Sequence, residues 1–133
     1  MDTKKILLVE DDDSLASVYI KRFEGEGFNV KRVDNGKDAL NVAVEFKPDI
    51  TLLDVMLPKL NGFAVLEQMR NNPEVSSSKI IILSALGQDS DKAKAEQLGA
   101  NDYFVKSQVG IAEVVEKVKH HVGTTEDELA PTA

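Results

Sequence analysis

The chain has 133 residues, of which 42% are hydrophobic, and it contains no cysteine. That length suits one domain with a real core, and the apolar fraction excludes disorder of the whole chain. With 16 basic and 23 acidic residues the net charge is −7, which argues against nonspecific binding to nucleic acid, a task that needs a basic surface. The lack of cysteine excludes disulfides and thiolate metal sites and is compatible with a reducing cytoplasm, where the chain is expected to reside. The first apolar run stops at Glu10, too short for a signal peptide or a membrane span.

In chain order, residues 6–9 are a continuous apolar run, the pattern of a strand buried on both faces of a parallel sheet. Leu15, Val18, Tyr19 and Phe23 then share a helical face, and Gly25 and Gly27 end that helix. Residues 29–33 read as a weaker strand. Asn35-Gly36 leads into a second helix with Ala39, Leu40, Ala43 and Val44 on one face, stopped by Pro48. Residues 50–53 form the third strand, apolar except for Thr51. Phe63, Leu66 and Met69 mark a third helix, ended by Asn72-Pro73. Residues 80–83 repeat the buried-strand pattern.

The segment 89–98 offers only Ala93, Ala95 and Leu98 to a core, so its helix is expected to be the least firmly held; Gly99 closes it. Residues 103–105 are a short fifth strand. Ile111, Val114, Val115, Val118 and Val122 make the clearest amphipathic face of the chain. His120 and His121 fall in the last turn of that helix, where they suit the helix dipole. Five strands alternating with five helices imply an α/β fold, an open parallel sheet with helices on both faces. Residues 123–133 are polar, acidic and aperiodic, and are expected to form a disordered tail after a domain of residues 1–122.

Ligands of open α/β sheets bind outside the carboxyl ends of the strands. Here those ends carry Glu10-Asp11-Asp12-Asp13, Asp54, Ser84 and Lys106. Carboxylates gathered in one cleft repel one another, and a hard dication such as Mg²⁺, which prefers oxygen ligands, relieves that repulsion. A carboxylate can also act as a nucleophile and form an acyl phosphate. Transfer of a phosphoryl group needs charge on its oxygens stabilised. Lys106 can supply a point charge, and Ser84 a hydrogen bond. Asp13 reads as the cap of the first helix.

The strand ends sit in the stretches Ile6-Leu7-Leu8-Val9-Glu10-Asp11-Asp12, Asp49-Ile50-Thr51-Leu52-Leu53-Asp54-Val55-Met56-Leu57-Pro58, Asn61-Gly62, Ile80-Ile81-Ile82-Leu83-Ser84-Ala85, and Leu98-Gly99-Ala100-Asn101-Asp102-Tyr103-Phe104-Val105-Lys106. Through these stretches the chain resembles the response-regulator receiver domain over about residues 4 to 122. The resemblance implies a doubly wound, flavodoxin-like sheet in the order 2-1-3-4-5. It implies Asp54 as phosphoacceptor, with Mg²⁺ (or Mn²⁺) held by Asp54, by Asp11 directly, by Asp12 through water and by the Met56 backbone carbonyl. Lys106 and Ser84 would contact the phosphoryl group, and Ser84 and Tyr103 would form the switch to a surface made of the fourth helix, fifth strand and fifth helix.

The same resemblance implies a histidine kinase or histidine phosphotransfer protein as donor, and a downstream output protein as target. It allows a homodimer through the switched surface, with no direct nucleic-acid or membrane partner. The chain would catalyse only its own phosphorylation and dephosphorylation and would not be an ordinary enzyme; it is expected to be a stand-alone receiver. Met56 and Leu86 occupy positions that tune dephosphorylation in the family. The family's usual proline after the lysine, joined by a cis bond, is replaced by Ser107. A cis bond there costs about 2.5–4 kcal/mol, which leaves the Lys106-Ser107 geometry open.

Two other functional classes compete. A phosphatase of the haloacid-dehalogenase type also uses an Asp nucleophile and Mg²⁺, but places a second Asp two residues later, where this chain has Met56. A flavodoxin-type binding module needs a phosphate-cradling loop after the first strand, where this chain has four acids that repel phosphate.

Overall fold

A computed structural model of the chain describes residues 3–123. Its elements run β1 (Lys5–Val9), α1 (Asp13–Gly25), β2 (Asn29–Val33), α2 (Gly36–Phe46), β3 (Ile50–Leu53), α3 (Gly62–Asn71), β4 (Lys79–Ser84), α4 (Asp89–Gln97), β5 (Asp102–Val105) and α5 (Ile111–Val122). The strands form one parallel sheet in the order β2-β1-β3-β4-β5, so the order and class implied by the resemblance hold. Apart from Gly123, the expected tail lies outside the described residues.

The continuous apolar runs mark the strands that are covered on both faces. Leu7, Val9, Leu53, Ile80 and Ile82 pack with Ala39, Ala43, Val65, Leu66 and Met69 of α2 and α3. Ile6, Leu8, Ile50, Leu52, Ile81 and Leu83 pack on the other face with Tyr19 and Phe23 of α1 and with Val114, Val115 and Val118 of α5. Edge strand β2 buries only Val33, which accounts for its weaker sequence signal. Lys31 stands exposed on it, as suits a strand that must not pair with another chain.

Three local expectations change. Val18 is 52% exposed rather than core, because Ala16, Tyr19 and Phe23 turn the buried stripe of α1 away from it. In α4 only Ala95 is buried and Ala93 is exposed, so that helix has even less apolar anchorage than its sequence suggests. The cap of α1 is Asp12, whose Oδ1 accepts the Leu15 N–H at 3.0 Å; Asp13 is already helical.

Two glycines permit the close packing behind the strand ends. A Cβ on Gly62 would stand 2.1 Å from the Asp54 carbonyl oxygen, and one on Gly36 would stand 1.8 Å from the Leu60 carbonyl oxygen. The loop after β3 therefore folds back directly onto the backbone of Asp54, with the Gly62 N–H donating to the Val55 carbonyl at 2.8 Å.

Candidate functional site

Backbone hydrogen bonds beyond the strands hold the polar residues at the carboxyl edge. The Glu10 N–H donates to the Val33 carbonyl, the Asp54 N–H to the Val9 carbonyl, and the Lys106 N–H to the Ser84 carbonyl. Each residue is thereby an extension of the rigid sheet rather than a free loop residue.

Asp54 is buried, with 5% exposure. Its Oδ1 accepts the Met56 N–H at 3.0 Å, and its Oδ2 accepts the Lys106 ammonium at 2.8 Å. The same ammonium lies 2.8 Å from Glu10 Oε1, while Glu10 Oε2 accepts the Asp12 N–H at 3.1 Å. Glu10, Asp11 and Asp54 bring one carboxylate oxygen each within 4.8 Å of one another. Asp11 is exposed, so the cluster opens to solvent on its side.

Charge balance shapes the titrations. Burial pushes the Glu10 carboxyl above its ordinary value, and Lys106 only partly offsets this. Burial pulls the Lys106 ammonium down, but hydrogen bonds to Asp54 and Glu10 and the charges of both acids outweigh it and leave Lys106 raised. One cation thus serves two carboxylates, and a third carboxylate stands close by. A set of oxygen donors with surplus negative charge fits a hard dication, and the residues present therefore suit the Mg²⁺ that the resemblance implies.

Ser84 is fully buried, and its Oγ accepts the Leu86 N–H at 3.3 Å. The Tyr103 hydroxyl donates to the Leu86 carbonyl at 2.6 Å. The Leu86 backbone is thereby held by both residues of the expected switch. Burial, together with the Asp91 and Asp54 carboxylates, raises the Tyr103 phenol, with Ser84 pulling it the other way. Among the described residues no peptide bond is cis, so Lys106-Ser107 is trans.

Of the residues singled out from sequence, Asp11, Asp54 and Lys106 come together, and the Met56 peptide rests on Asp54. Ser84 and Tyr103 meet at Leu86. Asp12 does not join the cluster: it caps α1, and Glu10 takes the place expected for it. The acidic pair is Glu10–Asp11, one residue earlier than read. Register carried the signal. Leu8 pairs with Leu52 and Val9 with Leu53, so one further step sets Glu10 beside Asp54 on the same face. Beside its place at the end of α5, His121 has a side-chain partner: its Nε2 lies 3.1 Å from Asp102 Oδ2.

Comparison with known proteins agrees with this geometry. The family model described as the response regulator receiver domain matches residues 6–119. The alkaline phosphatase synthesis transcriptional regulatory protein PhoP of Bacillus subtilis is 39% identical over 103 residues, covering 77% of this chain and 42% of PhoP. Protein PilH of Pseudomonas aeruginosa is 33% identical over 102 residues, covering 77% of this chain and 84% of PilH. Among solved structures, the receiver domain of a Pseudomonas aeruginosa sensor histidine kinase, with magnesium coordinated in its active-site cleft, superposes with a TM-score of 0.82 at 29% identity. That match covers 92% of this chain and 99% of the other. The chain spans between 41% and 43% of the length of the transcriptional regulators matched. Among the described residues no helix is long and apolar enough to cross a membrane.

Proposed function

Because the chain belongs to the response-regulator receiver family, we propose that it is a phosphoryl-accepting switch in which Asp54 takes a phosphoryl group from a phosphohistidine. The observation that carries this reading is the Asp54 carboxylate, buried at a strand end, bonded to Lys106 and set among Glu10 and Asp11. The donor is a histidine kinase or histidine phosphotransfer protein. An Asp54 oxygen forms the new P–O bond as the P–N bond to imidazole breaks, and the imidazole nitrogen takes up a proton. Hydrolysis later returns inorganic phosphate and the free carboxylate.

Glu10, Asp11 and Asp54 would hold Mg²⁺ or Mn²⁺, with the Met56 carbonyl as a further oxygen ligand and Asp12 left to its capping role. When bound, the cation would supply positive charge beside the phosphoryl oxygens. Lys106 already touches Asp54 and offers its ammonium to the transferred group. Ser84, whose Oγ accepts the Leu86 N–H, can turn its hydroxyl proton toward a phosphoryl oxygen.

Acyl phosphate formation adds charge of roughly −1.5 to −2 and strong acceptors. If Ser84 turns toward them, its bond to the Leu86 N–H changes, and so does the loop that Tyr103 holds by the Leu86 carbonyl. The change passes to α4, β5 and α5, whose least anchored member is α4. A two-state surface biased in this way suits docking of an output protein or a second copy of the chain. We favour a module that acts in the cytoplasm and turns over no external substrate.

Beryllofluoride, a stable mimic of the acyl phosphate, tests the site. With Mg²⁺ it is expected to shift the amide resonances of Asp54, Ser84, Leu86 and Tyr103 in the wild type and to leave them unmoved in Asp54→Asn. Equal shifts in both proteins would overturn the assignment of Asp54.

A further inference from the structure

Arg32 reaches across from edge strand β2 to the loop that carries the acidic cluster. Its Nε and Nη2 both donate to the Glu10 carbonyl, at 3.0 and 2.8 Å, and its Nη1 donates to Asp13 Oδ1 at 2.7 Å. The side chain is 23% exposed, whereas Asp13 is 89% exposed. The guanidinium is therefore packed down with Asp13 as its outer anchor.

The peptide it grips joins Glu10 to Asp11. On the other side of Glu10, the N–H is fixed to the Val33 carbonyl at 3.0 Å. Rotation of the Glu10–Asp11 peptide would swing Asp11 and tilt Glu10, two of the three carboxylates that converge at the cluster. Two donors on one carbonyl resist that rotation better than one, because a planar fork fixes direction as well as distance.

We propose that Arg32 is a positioning residue for the divalent cation, fixing the Glu10–Asp11 peptide so that its two carboxylates converge with Asp54 on the ion. The inference rests on the reading of the cluster as a cation site. Arg32 bonds the Glu10 carbonyl and Asp13 rather than the converging carboxylates, so it would act through Glu10 and Asp11, as partners behind metal ligands do.

Calorimetric titration of the full chain with Mg²⁺ alone, wild type against Arg32→Lys, tests this. Lysine keeps the charge and loses the fork. The Mg²⁺ midpoint is expected to weaken about tenfold. The phosphorylation rate at saturating Mg²⁺ should remain near that of the wild type. If Arg32 merely ties β2 to the loop, the variant will melt earlier in chelator while its Mg²⁺ midpoint stays put, and that outcome overturns the inference. Should the variant fail to fold, the wild type still decides. The Arg32 Nε–H resonance is expected to shift with Mg²⁺ at the calorimetric midpoint, and a resonance indifferent to Mg²⁺ overturns the inference. A wild type that takes up no Mg²⁺ would instead remove the reading of the site on which the inference stands.

Discussion

Glu10 and Lys106 stand 2.8 Å apart, joining the acid just beyond β1 to the base just beyond β5, with the Glu10 side chain only 3% exposed. Burial raises Glu10 and Lys106 only partly corrects it. A carboxyl raised in the folded state stabilises the fold below its unfolded value, and that contribution is lost as pH rises through the folded value. The window therefore opens at about the ordinary value of 4.5 and extends upward. Glu10→Gln removes the titration. Measured without divalent cations, the melting temperature of Glu10→Gln is expected to gain on that of the wild type as pH rises from 4.5 toward neutrality. A constant difference across that range would refute the account of Glu10.

Lys106 is the only cationic side chain bonded to Asp54 among the described residues, and it also holds Glu10. Lys106→Met would leave two buried carboxylates facing each other. Removing one partner of a buried ion pair costs about 3–5 kcal/mol, so the variant should melt well below the wild type in chelator. Mg²⁺ should then raise its melting temperature by more than it raises that of the wild type, because the unscreened acids attract the dication more strongly. An equal Mg²⁺ response in both proteins would show that Lys106 does not share the field of the cluster.

Gly62 leaves no room for a side chain. Its Cβ would meet the Asp54 carbonyl oxygen at 2.1 Å and Val55 Cα at 2.7 Å, both backbone atoms that cannot swing aside. Gly62→Ala is therefore expected to destabilise by about 3 kcal/mol, the upper end for overpacking, and to slow phosphorylation of Asp54 by moving its backbone. Urea unfolding and initial rates of mass gain check the two halves.

The sequence reveals most where burial is complete. Residues 6–9, 50–53 and 80–83 stand out because both faces of β1, β3 and β4 are covered, which demands unbroken apolar runs. Asp54 and Lys106 are legible because each follows such a run directly. Asp12 takes the capping role expected of Asp13, and Glu10 stands in the cluster where Asp12 was expected, because four acids in a row blur where β1 ends and where α1 is capped. Val18 misleads because it lies beside the stripe that Ala16 and Tyr19 set. Arg32 offers no signal on an edge strand where basic residues ordinarily face water, and its partner is a backbone carbonyl, which sequence does not mark.

Thr51 is the polar interruption in β3, and it is fully buried. Its Oγ1 finds no hydrogen-bond partner among the described residues. An unmet buried hydroxyl costs about 1–3 kcal/mol. Thr51→Val, nearly equal in shape, should stabilise the protein by about 1 kcal/mol without altering phosphorylation. A loss of stability would mean that the hydroxyl is satisfied in solution.

The central claim is that Asp54 accepts one phosphoryl group with the help of a divalent cation. Intact-mass spectrometry after incubation with phosphoramidate and Mg²⁺ tests it most directly. The wild type is expected to gain the mass of one phosphoryl group, and neither the chelated wild type nor Asp54→Asn should gain any. A wild type that binds Mg²⁺ yet gains nothing, or an Asp54→Asn protein that gains as much as the wild type, would contradict the claim.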